Sequence, residues 1–475
     1  MMEKPVTAVL IGAGRRGLLS YGNYALNNRE KLKFVAVAEP IQARREKFAK
    51  IHGIPSSRRY ETWEDLLNES KLADVAFICT QDQMHTDPTL LALEKGYNVL
   101  LEKPMAHTLK DCFKIVKKAE ETGRILGIGH ILRYTPFFSK INRIIQKGLL
   151  GDVVNITHRE NIMWYHYAHS FIRGPWANVD KSSPMILAKC CHDFDLLYWM
   201  VGSLPKKISS FGSLMHFRPE NAPKGAPKYC LDGCPAKEIC LYYAPRIYID
   251  ILPITQIMEK SENRFLKILG KLRKNHVKVL TQISKILTPL KSLRYYKDFP
   301  ISYLYTDQKE DYTDETKARI LKTSPYGRCV YYSDNNVVDH QVVNIEFENG
   351  VTANLTMHGF SELEGRTIRI DGTKATLIGE YHISGQKIIL YDHFSGKESL
   401  IFKKKLRLEA QEYDEGDFGL VDAFIKSIVY KDIPQLLTNA RVSLESHLMA
   451  FAATESRLNT TIVDMRKFRK NAEEL

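Results

Sequence analysis

No apolar run in the 475-residue sequence approaches the ~20 residues that a membrane-crossing helix needs, which argues against an integral membrane protein. The opening, MMEKPVTAVLIGAGRRG, lacks an apolar segment ending in small residues, so no secretory leader is expected and the expected location is cytoplasmic. Cysteine is sparse. Eight residues in a chain this long, two of them adjacent (Cys190 and Cys191), are not the framework of a small secreted scaffold, and reduced thiols are expected. Acidic residues are missing from one stretch: between Asn263 and Lys297 stand ten Lys or Arg and no Asp or Glu, and without it the net charge falls from +13 to +3. The basic character is local, so nucleic-acid binding is not expected. The same stretch places Phe265, Ile268, Leu269, Leu272, Val279, Leu280 and Ile283 at near-helical spacing. Such a basic amphipathic segment either touches an anionic membrane surface weakly or packs by its apolar stripe on the protein itself.

What is present is the composition of a globular protein, 44% hydrophobic and 26% charged, with length enough for two domains or one with a large insertion. Residues 7–129 alternate short β-rich apolar runs with amphipathic helical stretches, the pattern of a parallel sheet covered on both faces. Strands are expected at Thr7 to Ile11, Phe34 to Glu39, Asp74 to Cys79, Asn98 to Glu102 and Leu126 to Gly129. Thr62 and Asp65 read as a helix-capping pair, and Gly96 and Gly123 as helix stops.

Gly12-x-Gly14-x-x-Gly17 follows the first strand and opens the first helix. In that context Gly12 permits a tight turn, Gly14 a close approach of backbone to a pyrophosphate, and Gly17 the packing of helix on strand. Glu39 ends the second strand, where a carboxylate accepts from ribose hydroxyls and repels a 2′-phosphate, favouring NAD over NADP. Arg44 and Arg45 keep the NADP alternative open. Residues 1–130 are therefore read as a Rossmann domain, a doubly wound parallel sheet.

The segments IGAGRRG, ICTQDQMHTDPTLLALEKGYNVLLEKPMAHT and GHILRYTPFF resemble the Gfo/Idh/MocA oxidoreductases, the superfamily of glucose-fructose oxidoreductase and inositol dehydrogenase. The triplet Glu102-Lys103-Pro104 is its most specific mark, and CHDFDLLYWMVG (191–202) and SLESHLMAFAATESR (443–457) extend the resemblance. It is weakest over an insertion at 255–322. The resemblance implies that residues 131–475 form an α+β domain with an open, largely antiparallel sheet, used for substrate binding and for assembly as a homodimer or homotetramer. The alternating run VVDHQVVNIEFENGVTANLTMH (337–358), with its Glu-Asn-Gly turn, independently reads as a hairpin, and Thr367 to Asp371 and Lys387 to Tyr391 as further strands.

Hydride transfer from a secondary alcohol needs a proton acceptor and a cation or donor for the developing alkoxide. The resemblance assigns these roles to Lys103 and His192, and implies cofactor contacts at Arg16, Thr80, His85, Glu102 and Lys103. His192 is expected to open a helix, with Asp195 one turn on as a substrate contact. The family's dehydrogenases commonly carry an aspartate four residues before that histidine; here Ala188 stands in its place, with Lys189 beside it. Lys189 either replaces the missing proton acceptor or is structural. Arg159 to Trp176 is dense in Trp, Tyr, His and Arg, and Tyr165, Arg173 and Trp176 are expected to meet a sugar-like substrate unless the segment is a packed loop. Cys230, Cys234, Cys240 and Cys329 suit a structural zinc site, a disulfide or free thiols.

Three functional readings follow: an NAD-dependent oxidoreductase acting on a secondary hydroxyl of a sugar or polyol; a redox-assisted glycosidase or lyase that keeps its NAD and passes through a keto-sugar; and a dinucleotide-binding regulator without turnover.

Overall fold

The computed structural model describes residues 4–250, 252–260, 264–273, 313–382, 384–405, 413–431 and 436–474. Most of the basic stretch 263–297, and with it the expectation of membrane-surface contact, lies outside them.

The first sheet holds β1 (Val6–Ile11), β2 (Leu32–Ala38), β3 (Arg59–Tyr60), β4 (Val75–Ile78), β5 (Asn98–Leu101) and β6 (Leu126–Ile128) in the order β3-β2-β1-β4-β5-β6. Every pairing in it is parallel. β4 is buried at every residue, as expected of a strand with helices on both faces. This is the doubly wound order, with its crevice where the chain reverses direction between β1 and β4. The five expected strands are present with ends shifted by up to two residues; β3, only two residues long, was not expected. Thr62 caps its helix by accepting from Asp65 N, and Gly123 ends another in the left-handed conformation.

The second sheet runs β14-β13-β12-β11-β7-β10-β9-β8-β15. It is built from β7 (Val153–Met163), β8 (Pro205–Ser213), β9 (His340–Phe347), β10 (Thr352–Ser361), β11 (Gly365–Gly372), β12 (Ala375–His382), β13 (Gly385–Asp392), β14 (Glu398–Lys405) and β15 (Val463–Asp464). The expected hairpin is β9 and β10, and only the β7–β10 pairing is parallel. Alternation sets its two faces. Ile156, Leu355, Val343 and Ile370 point into the core, while Thr157, Asn354 and Asn344 point the other way. The helices Met185–Val201 and Ala440–Asn459 pack together on the core side. The C-terminal segment also returns to the first sheet: Ile128 N donates to Thr438 O, and Gly127 bridges to Asn439.

The helix carrying His192 begins at Met185, two turns before that residue, so the expectation that His192 opens it is corrected. Pro184 takes the position before the helix, and Met-Ile-Leu-Ala-Lys that follows contains good helix formers. One consequence is that Ala188 and His192 stand at i and i+4 on one face, with Lys189 and Asp193 on a neighbouring one.

Candidate active site

The crevice is framed by the glycine loop after β1. Gly12 has φ of +91°, and a side chain there would meet Cys79 O at 2.7 Å; a side chain at Gly17 would collide with Gly12 O. At Gly14 nothing lies within 4 Å, so this side of the loop is open for an anion. Glu39, 4% exposed, accepts from Ala13 N (2.8 Å) and Ile41 N (3.0 Å) and so ties the loop to the end of β2. Each oxygen keeps a further lone pair. Arg45 donates to Glu39 O, and Glu46 pairs with Arg59.

Other residues of the crevice are engaged with protein. Arg16 is bonded to Glu102 (2.6 Å) and to Asp417 (2.6 Å) of the helix Tyr413–Tyr430. Burial alone would raise the Glu102 carboxyl, but Arg16 and the Tyr21 hydroxyl hold it below its ordinary value. His85 is buried, its Nδ1 2.7 Å from Pro104 O and its Nε2 3.3 Å from Thr80 O, so it braces the Thr80 loop against the turn after Lys103. Thr80 donates its hydroxyl to Met84 O.

Lys103 follows β5, and its Nζ donates to Ala188 O (2.9 Å) in the second domain, one helical turn before His192. Burial, then the charge of Lys103, lowers His192 well below the usual histidine pKa, so its imidazole is neutral at pH 7. His130, in the GHILRY segment but not singled out from sequence, stands with its Nδ1 3.4 Å from His192 Nδ1; burial pushes it down to about 3.

Lys189 points elsewhere. Its ammonium lies 3.2 Å from Glu160 and 3.0 Å from Glu364. Arg366 bridges Glu160 (2.8 Å) and Asp193 (2.7 Å), His158 meets Asp193 (2.7 Å), and His166 meets Glu364 (2.8 Å). Burial pushes Glu160 up to about 7 against the pull of Arg366 and Lys189. Burial would do the same to Asp193, but Arg366 and His158 hold it well below the carboxylate range.

Two expected substrate contacts are drawn away. Asp195 accepts two bonds from Arg133 (2.7 and 2.6 Å), both side chains buried. Arg173 is buried among Arg328 O, Tyr242 O and Cys230 Sγ. Both side chains give most of their polar atoms to partners inside the protein. The aromatic segment is two helical turns, Trp164–Tyr167 and Ala168–Ile172, and much of it is core: Tyr167 stacks on Phe171 and Phe217. Tyr165 and Trp176 remain part-exposed, and Trp176 Nε1 donates to Asp82 of the first domain (3.0 Å).

The zinc expectation needs correction. All eight cysteines are free thiols, and among the described residues no group of three or more His, Cys, Asp or Glu side chains is arranged round a metal ion. Cys230, Cys234, Cys240 and Cys329 nevertheless line one cavity.

These features define a dinucleotide-binding α/β protein with a crevice shared by two domains. Residues 6–130 match the family of Gfo/Idh/MocA proteins described as "Oxidoreductase family, NAD-binding Rossmann fold". The chain is 28% identical over 221 residues to scyllo-inositol 2-dehydrogenase (NAD(+)) of Bacillus subtilis, covering 45% of this chain and 59% of that one. It is 26% identical over 156 residues to 2,7-anhydro-N-acetylneuraminate hydratase of Escherichia coli, covering 33% and 41%. The match thus spans about half the length of these relatives. An oxidoreductase from Agrobacterium radiobacter, in complex with NAD+, L-tartaric acid and magnesium, shares the fold over 98% of this chain and 99% of its own, with TM-score 0.62 and 12% identity. No helix among the described residues is long and apolar enough to cross a membrane.

Proposed function

We propose that the chain is an NAD-dependent oxidoreductase acting on a secondary hydroxyl of a sugar, polyol or sugar derivative. The observation that carries this reading is the reach of Lys103 from the end of β5 to Ala188 O, which sets an ammonium and the His192 imidazole at one crevice. The loop of Gly12, Gly14 and Gly17 would hold the pyrophosphate, and Glu39 the adenosine ribose, disfavouring a 2′-phosphate. A nicotinamide dinucleotide supplies the hydride acceptor when bound. His192, neutral at pH 7, accepts the hydroxyl proton. Lys103 spends one N–H on Ala188 O and keeps two for the oxygen that develops negative charge. Lys189, set between two carboxylates, tunes the field and does not take the proton. Assembly as a homodimer or homotetramer through the second sheet and a cytoplasmic location accompany this reading.

A second reading, the redox-assisted cleavage of a glycoside with retained NAD, is favoured by one feature: Ala188 stands where the family's dehydrogenases commonly have an aspartate. A panel of polyols, sugars and glycosides, followed for NADH absorbance and product together, separates the two. NADH formed in step with product supports the dehydrogenase, and product without net NADH supports cleavage. Neither signal across the panel would leave a binding protein without turnover.

A further inference from the structure

Three imidazoles and a hydroxyl form an ordered chain behind the crevice. His130 follows β6, His192 stands on the helix Met185–Val201, and Ser446 and His447 stand on the helix Ala440–Asn459. Met105 N donates to His447 Nε2 (2.8 Å), so that nitrogen is bare. The proton of this neutral ring therefore sits on Nδ1, which donates to Ser443 O (2.8 Å) and cannot accept from Ser446 Oγ at 3.3 Å. The one hydroxyl proton of Ser446 goes to Ser443 O, at 2.7 Å its nearest acceptor, and its oxygen is left to accept from His130 Nε2 (3.3 Å). His130 is 1% exposed and neutral at pH 7, with one ring proton to place. That proton lies on Nε2, which has an acceptor before it, and Nδ1 is bare. His192 Nδ1, 3.4 Å from this lone pair, then bears the His192 proton, and the other edge of the part-exposed ring presents a bare Nε2.

We propose that His130 and Ser446 are positioning residues that hold His192 as the Nδ1–H tautomer, so that Nε2 is the atom that takes the substrate's hydroxyl proton. The inference rests on the reading of His192 as the proton acceptor. A histidine held in the other tautomer offers an N–H where a lone pair is needed, and fails as a base. Once Nε2 has taken the proton the ring is a cation, and its Nδ1–H strengthens its bond to the His130 lone pair. The chain ends at Ser443 O, a carbonyl that accepts and does not relay. It orients His192 and does not carry the proton away.

The test is nitrogen NMR of the full-length protein, isotope-labelled at histidine and free of substrate, with the His192 signals assigned by their loss in His192→Ala. His192 should show a protonated Nδ1 and a bare Nε2, and in Ser446→Ala and His130→Phe these signals should move towards a mixture of the two tautomers. On the substrate that the panel identifies, both variants should lower kcat at least ~10-fold, while KM and NAD affinity stay near their starting values. Retained NAD affinity also shows that a variant has folded. A protonated Nε2 in the unsubstituted protein, or His192 signals unchanged in both variants, would overturn the proposal. Because the tautomer is read without turnover, the two readings separate: normal turnover by His192→Ala beside the expected spectrum would remove His192 as proton acceptor and leave its tautomer as assigned.

Discussion

The helix Met185–Val201 has two neighbourhoods of opposite character. On the face of Lys189 and Asp193, three acids and two strong bases are locked into buried and half-buried pairs, with His158 and His166 closing the ends. On the face of Ala188 and His192 there is one ammonium, held by a backbone carbonyl, and two imidazoles that burial keeps neutral. In the first arrangement each base is held by two acids, which suits it to fixing the helix on β7 and β11. The second has donors and acceptors in reserve, which proton transfer requires.

Removing a partner from the paired face should cost the most stability. Arg366→Met leaves Glu160 only Lys189 and Asp193 only His158, and a loss of about 3–5 kcal/mol in urea unfolding is expected for breaking a buried pair. A loss below ~1 kcal/mol would show that the network is not what fixes the helix. Lys189→Met should also destabilise, but turnover per folded molecule should fall less than ~10-fold, against the ~100-fold or more expected of an acid/base group. A fall of that larger size would return Lys189 to the chemistry and erase the contrast between the faces.

Acid should act on the two faces in different ranges: Glu160, raised to about 7, takes up its proton first in the folded state and favours folding as pH falls towards 4.5, whereas the buried imidazoles oppose it. His130 and the buried His447, which stands on the helix Ala440–Asn459 and accepts from Met105 N, are lowered by burial from 6.5 to about 3, so below pH 6.5 the unfolded chain takes up protons that the folded one refuses. Their contribution is full above pH 6.5 and is lost down to about pH 3. Asp193, also lowered, adds its loss below its unfolded value of 3.8. His130→Gln should therefore flatten the stability curve between pH 6.5 and 4, measured by denaturant midpoints; an unchanged slope would mean that His130 takes up its proton alike in the folded and unfolded chain. The smallest effect is expected at the dinucleotide. Glu39→Gln should narrow the preference for NAD over NADP by about tenfold in calorimetric titration, the size of one charge contact. Equal affinities in the unsubstituted protein would remove the basis for NAD preference.

The paired face was hidden from sequence because its partners are remote. Glu160, Asp193, Glu364 and Arg366 come from β7, the helix, and the turn into β11, up to 206 residues apart. Asp195 and Arg173 were misplaced for the same reason: Arg133 lies 62 residues before the one, and Arg328 155 residues after the other. The glycine loop, by contrast, is local. Its motif, the strand before it and the helix after it lie within about twenty residues, and the alternation that gives the sheets is a property of neighbours. His130 carried a signal in the GHILRY segment, but nothing in sequence spacing brings it to His192. The start of the helix at Met185 is legible in Pro184 and the helix formers after it.

The most direct measurement is turnover of Lys103→Met and His192→Ala on whichever substrate the panel identifies, with NAD affinity determined in parallel. Each variant should lower the chemical step by at least ~100-fold while leaving the dinucleotide dissociation constant nearly unchanged. Near-normal turnover by either variant would contradict the role given to that residue, and near-normal turnover by both would remove the crevice between Lys103 and His192 as the site of the reaction.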